Sequence, residues 1–480
     1  MDLSDDHARA RLRRHLGDLF RDRRVVCGVA PLAAMVPWVG LLEEAGARRP
    51  LLVAAGTGAG PVPDPEQADV VMVEMPRTRT MTEDLRQQDA FVRSLPEQAR
   101  AAVDAYDPDG EAVWLVGPFI GPEPIDGRRV VGGRPPAWTA LEDKLVADEV
   151  WDAADVPRAP YRVVEVGAAP MAAASAELDR GEGVVWAGDA RDGFHGGGEF
   201  VRWVRDETER AAALAFFATR CDRVRVMPFL EGVPCSVHGV VLPDGTAAFR
   251  PVELSILRTG RRFVYGGLGT TWDPPAEDRE QMRALVRRVG EHLRERAGYR
   301  GAFGIDGVLT ADGFRPTELN ARLSGGLANL ARVVEPGLFT LLQVNLSVDR
   351  DPGVTAPDLE AWALPRMDAH RFVRAVAMSP DNVAADPFEI HVTWDGERLH
   401  RSWGPTGWTV AVGPSAAGTY CRLDAPPEAV VGLRAGTLNV ALTRFLDAEL
   451  GTAFGDVTAP VDVRQAKRDG SPAPTRTTSG

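Results

Sequence analysis

Asp306, Glu318, Asn320 and Arg322 stand at strand spacing in one stretch of the chain. Asp306 lies in Gly301-Ala302-Phe303-Gly304-Ile305-Asp306-Gly307, and the others follow in Pro316-Thr317-Glu318-Leu319-Asn320-Ala321-Arg322-Leu323-Ser324-Gly325-Gly326. The two runs read as short strands joined by a turn at Ala311-Asp312-Gly313. Residues two apart on a strand share a face, so Glu318, Asn320 and Arg322 project together. Two carboxylates and an amide suit a hard cation such as Mg²⁺. Arg322 and the Ser-Gly-Gly turn add what an anion beside that cation needs. Alternating polar residues are also what a half-buried hairpin with a solvated face shows. That simpler reading does not explain why Asn320 and Arg322 run straight into Ser-Gly-Gly.

Bulk properties narrow the function classes. A chain of 480 residues has room for about three domains, at roughly 150 residues each. It is 44% hydrophobic and 26% charged, an ordinary globular composition. A net charge of −13 disfavours a nucleic-acid binder and does not suggest a membrane surface. Cys27, Cys221, Cys235 and Cys421 lie far apart with no Cys-x-x-Cys pair, as buried reduced thiols would. The start, Met1-Asp2-Leu3-Ser4-Asp5-Asp6, has no apolar signal core, and no apolar run is long enough to span a bilayer. A cytoplasmic protein is the expectation. Lys144 and Lys467 are the only lysines, so arginine carries nearly all the basic charge; this is the pattern of a GC-rich genome.

Positioning elements can be read around the motif. After an amphipathic helix over residues 4–22, apolar runs at Arg24–Ala30, Pro50–Gly56, Ala68–Glu74 and Ala112–Gly117 read as strands alternating with helices. This argues an α/β domain with a mainly parallel sheet, over residues 20–136. Gly-x-Gly-x-x-Gly is absent after its first strand, so dinucleotide binding is not indicated. Pro135-Pro136 marks a boundary, and residues 138–154 read as one helix carrying Glu142-Asp143-Lys144. On spacing alone Lys144 is a solvated helix lysine. Residues 277–298 read as an amphipathic helix. The pattern changes beyond residue 345, and a small α+β domain is expected over 346–464, with a hairpin at His391–Leu399 and a helix at Leu433–Leu450. The tail, 465–480, is polar and Pro/Thr/Ser-rich, as disordered segments are.

Two other clusters can do chemistry. The run Asp192-Gly193-Phe194-His195-Gly196-Gly197-Gly198-Glu199 lets backbone N–H groups approach phosphates closely. No Lys-Ser/Thr follows it, so it is not a Walker loop, and a flexible surface loop shows the same composition. Arg258, Arg261 and Arg262 flank a glycine turn and can grip a substrate carboxylate through paired N–H groups, or form a solvated basic turn. His238, in the strand Cys235–Val241, reads as structural more readily than as a ligand.

The pattern Glu318-x-Asn320-x-Arg322-x-Ser324-Gly325-Gly326 after an acidic strand resembles the metal site of the ATP-grasp superfamily. The resemblance covers residues 20–345. It implies a parallel-sheet pre-ATP-grasp domain (20–136) and a two-lobed ATP-grasp α+β core (137–345). It also implies that Asp306, Glu318 and Asn320 bind Mg²⁺ (or Mn²⁺) bridging ATP phosphates, with Arg322, Ser324 and Gly325 holding an acyl phosphate. Lys144 and the loop Gly193, Phe194, His195, Gly196 and Gly197 take the places of the family's phosphate contacts. Pro228, Phe229 and Leu230 resemble the adenine hinge. The segment Val156-Pro157-Arg158-Ala159-Pro160 resembles the family's Gly-Val-Pro-x-Pro, with Asp155 where the glycine stands. The family's second phosphate lysine, expected near Trp186, is absent, so Arg191 or another arginine must supply that charge, or Lys144, the loop and the metal suffice. With its extra C-terminal domain the layout looks like the amino-acid and peptide ligases of actinobacterial specialised metabolism, including γ-glutamyl ligases of the propargylglycine–glutamate type. Implied is ADP-forming ligation of an amino-acid carboxylate, glutamate among the candidates, to an amine. Alternatives are ligation onto a longer peptide and a nucleotide-binding regulator without turnover. Expected partners are small amino-acid substrates, with no nucleic acid and no membrane, and a homodimer is admitted.

Overall fold

The computed structural model describes residues 2–464 apart from 261, 382 and 416. The expected disordered tail lies outside the described residues. No described helix is long and apolar enough to cross a membrane.

The N-terminal sheet consists of β1 (Val25–Ala30), β2 (Leu51–Ala54), β3 (Asp69–Met72), β4 (Val113–Val116) and β5 (Val130–Val131), in the order β3-β2-β1-β4-β5. Every pairing is parallel. The central strands are apolar throughout because helices cover both faces. At the edge, β3 leaves Val70 and Met72 about half exposed.

A four-stranded antiparallel sheet follows: β6 (Arg162–Glu165), β7 (Val184–Gly188), β8 (Val201–Val204) and β9 (Arg223–Pro228), in the order β6-β9-β7-β8. The third sheet is larger. It starts with β10 (Val233–Leu242), β11 (Gly245–Ala248), β12 (Val252–Thr259), β13 (Arg262–Gly269), β14 (Gly301–Thr310) and β15 (Gly313–Asn320). It continues through β16 (Val373–Ser379), β17 (Phe388–Trp394), β18 (Leu399–Arg401), β19 (Trp408–Ser415) and β20 (Gly418–Asp424). The order is β15-β14-β10-β12-β13-β16-β20-β19-β17-β18, with β11 pairing β10. One antiparallel sheet thus runs from the Asp306–Asn320 hairpin into the C-terminal part, through Gly267–Gly269 of β13 against Val373–Ala375 of β16.

The helix Ala276–Arg296 buries Met282, Leu285, Val286, Val289 and Leu293, at helical spacing, against this sheet's core. Each such side chain contributes about 1.5–3 kcal/mol by leaving water. The expected single helix over 138–154 is two, Pro136–Ala140 and Lys144–Ala153. Asp143 separates them: its Oδ1 accepts the Leu145 N–H at 2.8 Å, which restarts the helix. Its Oδ2 accepts the Ala190 N–H at 3.0 Å, tying that helix start to the loop after β7.

Candidate active site

The β14–β15 hairpin sets Asp306 directly opposite Glu318. The register then slips, with Gly307 opposite Pro316, so Thr317 is the extra residue of a bulge. A bulge also accommodates Pro316, which has no N–H for the ladder. The Asn320 Nδ2 donates to Asp306 Oδ2 at 3.0 Å. Burial and the charge of Glu318 raise the Asp306 pKa, against hydrogen bonds from Ser236 and Asn320 and the charge of Arg322. Burial pushes Glu318 the same way, but Lys144 and Arg322 outweigh it and hold that carboxyl low.

This donor set fits a hard divalent cation. Two carboxylates face each other with the Asn320 amide beside them, and a cation between them relieves their repulsion. Among the described residues no three His, Cys, Asp or Glu side chains converge on a metal position. Such a cation must therefore take further oxygens from water or a ligand. Beside the pair, Ser324 precedes the helix Gly325–Arg332, and its Oγ is buried without a protein partner among the described residues. An orphan hydroxyl at a helix N-terminus suits an anion.

The structure buries Lys144 at 3% exposure, in place of the solvated lysine that spacing alone suggested. Its Nζ lies 3.3 Å from Glu318 Oε2. Arg225, on β9, holds that helix start in place. It donates to Lys144 O at 3.2 Å, to Asp148 Oδ1 at 3.2 Å and to Thr317 O at 2.7 Å. One guanidinium thereby ties the smaller sheet, the Lys144 helix and the bulge of β15 together. Sequence reading gave Arg225 no role; the signal was a charge between two core valines, Val224 and Val226.

Trp186 is not a cleft position. It is fully buried and donates to Ser175 Oγ at 3.0 Å, inside the core beneath β7. The opposite face of β7 carries Val185 and Ala187, and Arg225 lies across from Ala187. Arg191, considered as the missing charge, pairs with Asp192 and Asp222 at the surface.

Arg322 is held by a carboxylate that sequence reading also passed over. Buried Glu142 forms ion pairs with both Arg322 and Arg134, and Arg134 Nη1 also donates to Ala321 O at 2.8 Å. The Arg322 guanidinium lies 5.2 Å from the Phe119 ring centre and 5.5 Å from that of Phe194. Those rings are 5.0 Å apart. The N-terminal domain, the glycine loop and the bend at Arg322, just past β15, therefore meet at one point.

The glycine loop is clasped from the N-terminal domain. Arg86 donates to Gly193 O at 2.8 Å and to Phe194 O, and Gly196 donates its N–H to Thr82 Oγ1 at 3.2 Å. Gly193 and Gly197 have φ of 92° and 62°, which glycine adopts without strain. His195 points inward. Its Nε2 is 3.1 Å from Asp189 O, its ring stacks on Phe200 at 4.4 Å, and burial with the nearby Lys144 charge lowers its pKa to about 4. It is a neutral packing residue at physiological pH.

At the hinge, the Phe229 N–H already donates to Gly183 O at 3.1 Å, and Pro228 has none to give. Leu230 is left with a backbone N–H that has no partner among the described residues. The Phe229 ring stacks on Trp203 at 4.4 Å. Arg258 lies 4.9 Å from the Phe229 ring centre and grips Glu231 through both terminal nitrogens, at 3.1 and 2.7 Å. Its charge is thus answered at the hinge, and it is not a free carboxylate receptor. Arg261 lies outside the described residues. His238 sits beneath the Ser-Gly-Gly turn. Its Nε2 is 3.0 Å from Ser236 Oγ, burial lowers its pKa to about 3, and a Cβ on Gly326 would lie 2.3 Å from that nitrogen.

Comparison with known proteins bears on the fold. Residues 190–326 match the ATP-grasp domain family model. No curated protein sequence matches the chain. The biotin carboxylase domain of Hydrogenobacter thermophilus 2-oxoglutarate carboxylase, solved with MgADP, ADP and bicarbonate, is similar at TM-score 0.52 and 15% identity, over 94% of this chain and 95% of that one. The Bacillus licheniformis L-amino acid ligase is similar at TM-score 0.50 and 12% identity, over 91% and 100%. The Aspergillus clavatus carboxyaminoimidazole ribonucleotide synthase, complexed with ATP, gives TM-score 0.50 and 11% identity, over 89% and 99%. The chain has the ATP-grasp fold, and residues 190–326 are its match to the ATP-grasp domain.

Proposed function

We propose that the protein is an ATP- and Mg²⁺-dependent carboxylate–amine ligase forming a dipeptide or γ-glutamyl amide from amino acids, with ADP and phosphate as by-products. The observation that carries this reading is the convergence of Lys144, Glu318, Asp306, Asn320 and Arg322, from the start of the helix Lys144–Ala153 and from the β14–β15 hairpin with the turn after it, on one point. The domain match and the shared architecture support it.

In this reading Asp306, Glu318 and Asn320 would hold Mg²⁺, which supplies charge neutralisation to the phosphates when bound. Lys144, pointing at the same carboxylate, offers its ammonium to a phosphate oxygen. The substrate carboxylate attacks the γ-phosphorus, the bond to ADP breaks, and an acyl phosphate results. The amine nitrogen then attacks the acyl carbon, phosphate leaves, and the amine gives up a proton. Arg322, fixed by Glu142, and the turn Ser324–Gly325 face the developing negative charge with donors already oriented, so little reorganisation is needed. Phe119 and Phe194 cover the guanidinium and keep water from the acyl phosphate.

The test is nucleotide release from the full-length protein with pooled amino acids and Mg²⁺, followed by mass analysis of the products. ADP that depends on an amino acid and on Mg²⁺, with a condensed product, is the expected result. AMP as product, or ATP binding without turnover across the panel, refutes it.

A further inference from the structure

A second constellation adjoins the acid pair. A cavity of about 440 Å³ opens between the end of the glycine loop, β13, β16 and the helix Gly325–Arg332. That volume suits a metabolite-sized ligand. Its lining includes Arg202, Arg262, Arg374, Tyr265, Tyr420 and Asn329, and among the described residues its only carboxylate is Glu199. Arg332 and Arg422 lie close behind Arg374.

The arginines are uncompensated. Arg202, Arg262, Arg332 and Arg374 form no ion pair among the described residues, unlike Arg250 and Arg322, which do. Arg202 turns to the carbonyls of Glu199 and Val201, at 2.6 and 2.8 Å. Arg374 has a single neutral partner, Asn329 Oδ1 at 2.8 Å. Burial, then Arg422 and Arg332, lower the Arg374 pKa; burial and Arg262 bring Arg202 to about 10. Like charges concentrated in a partly dry cavity are a cost that a bound anion removes.

The cavity also points toward the reacting centre. Asn329, which holds Arg374, donates through Nδ2 to Gly325 O at 2.8 Å on the turn beside Arg322. The Tyr265 phenol, raised in pKa first by burial, is raised next by Asp306. A ligand with one end at Ser324–Gly325 would therefore extend toward Arg374 and Arg262.

We propose that this cavity receives a substrate carrying a second anionic group, carboxylate or phosphate, besides the carboxylate that is activated. The proposal rests on the ligase reading for the identity of the activated group. The anion receptor itself rests on the arginine geometry alone. The C-terminal strands supply part of it, Arg374 from β16 and Tyr420 from β20.

The test is calorimetric titration of the full-length protein, without ATP, with L-glutamate, O-phospho-L-serine and L-glutamine. ADP release is measured in parallel with the same three. One acid probe should bind at least about tenfold tighter than glutamine, as a charged hydrogen-bond pair requires. Preference for glutamate assigns a carboxylate, and preference for phosphoserine assigns a phosphate. Arg374→Gln should abolish the preference without changing ATP affinity. Arg262→Gln, at an exposed position, should weaken it with no loss of fold. Glutamine binding as tightly as the acids, neither acid binding, or a preference that survives both variants overturns the proposal. ADP formed equally well with neutral amino acids would leave the ligase and remove the anion receptor. Acid-selective binding with no ADP from any probe would leave the receptor and remove the ligase.

Discussion

Lys144 points at Glu318, Nζ to Oε2 3.3 Å, from the first turn of a helix that Asp143 caps and that packs against β15. An ammonium placed this way holds the Glu318 carboxyl ionised, and in the proposed ligase it would also meet a phosphate. Lys144→Met should lower the rate of ADP formation by about 10²–10³-fold, the size seen when one oriented donor is removed from a charged transition state. Initial rates at saturating ATP and Mg²⁺, with circular dichroism to confirm the fold, provide the check. A rate within a few-fold of wild type would make the pair structural only.

Glu142 answers both Arg322 and Arg134. Glu142→Gln leaves the two guanidinium groups without their shared counter-charge. Breaking a buried pair from one side costs about 3–5 kcal/mol. A lowered thermal midpoint is expected, with a fall in kcat larger than any change in KM for ATP, because Arg322 loses its orientation while the hinge is untouched. A KM effect alone would place Glu142 in nucleotide binding instead.

Gly326 touches the buried imidazole of His238. Gly326→Ala forces a methyl group against that ring and should destabilise the protein by about 1–3 kcal/mol. His238→Ala opens space at the same point. The double variant should therefore be more stable than the sum of the two single losses predicts, as neighbouring sites do when they share a cavity. Denaturant titration of the three variants measures this; strict additivity would mean that the two residues do not share the space.

Trp186→Lys does not restore a missing phosphate contact. The side chain lies in the core beneath β7, so the substitution loses a large packed ring, about 3–5 kcal/mol, and adds an unpaired buried charge. Poor folding with no gain in ATP affinity is the expected outcome. A soluble, tighter-binding variant would show that the strand face has been misassigned.

Asp155 has φ of 50° just past the helix Lys144–Ala153, where the Val156 N–H donates back to Trp151 O at 2.9 Å. Helices favour glycine there, since other residues strain in the left-handed region. Asp155→Gly should raise stability by on the order of 1 kcal/mol, readable as an upward shift of the unfolding midpoint. An unchanged or lowered midpoint would show that Asp155 is compensated in place.

What could be read from the residues was local. Period-two spacing is enough to put Glu318 and Asn320 on one face, and a Gly-rich loop states its own backbone freedom. Lys144 shows the limit. Its burial follows from how its helix packs against β15 beside the glycine loop, and no helix periodicity carries that information. Glu142 and Arg225 were invisible for the same reason, since each joins elements far apart in sequence. Trp186 failed differently. Most of β7 is buried, on both of its faces, so its residues do not alternate, and nothing in the pattern says which of them faces the cleft. The break at Asp143 was legible in principle, because an aspartate before a lysine-led apolar run is a helix-start signal.

The bond between β13 and β16 sets how this protein can be altered. Cutting the chain before Val373 would strip Gly267–Gly269 of its hydrogen-bonded neighbour and expose a raw edge, the kind that recruits other chains. Grafting a foreign C-terminal segment therefore requires matching that seam residue by residue, and specificity cannot be exchanged here as a detachable module.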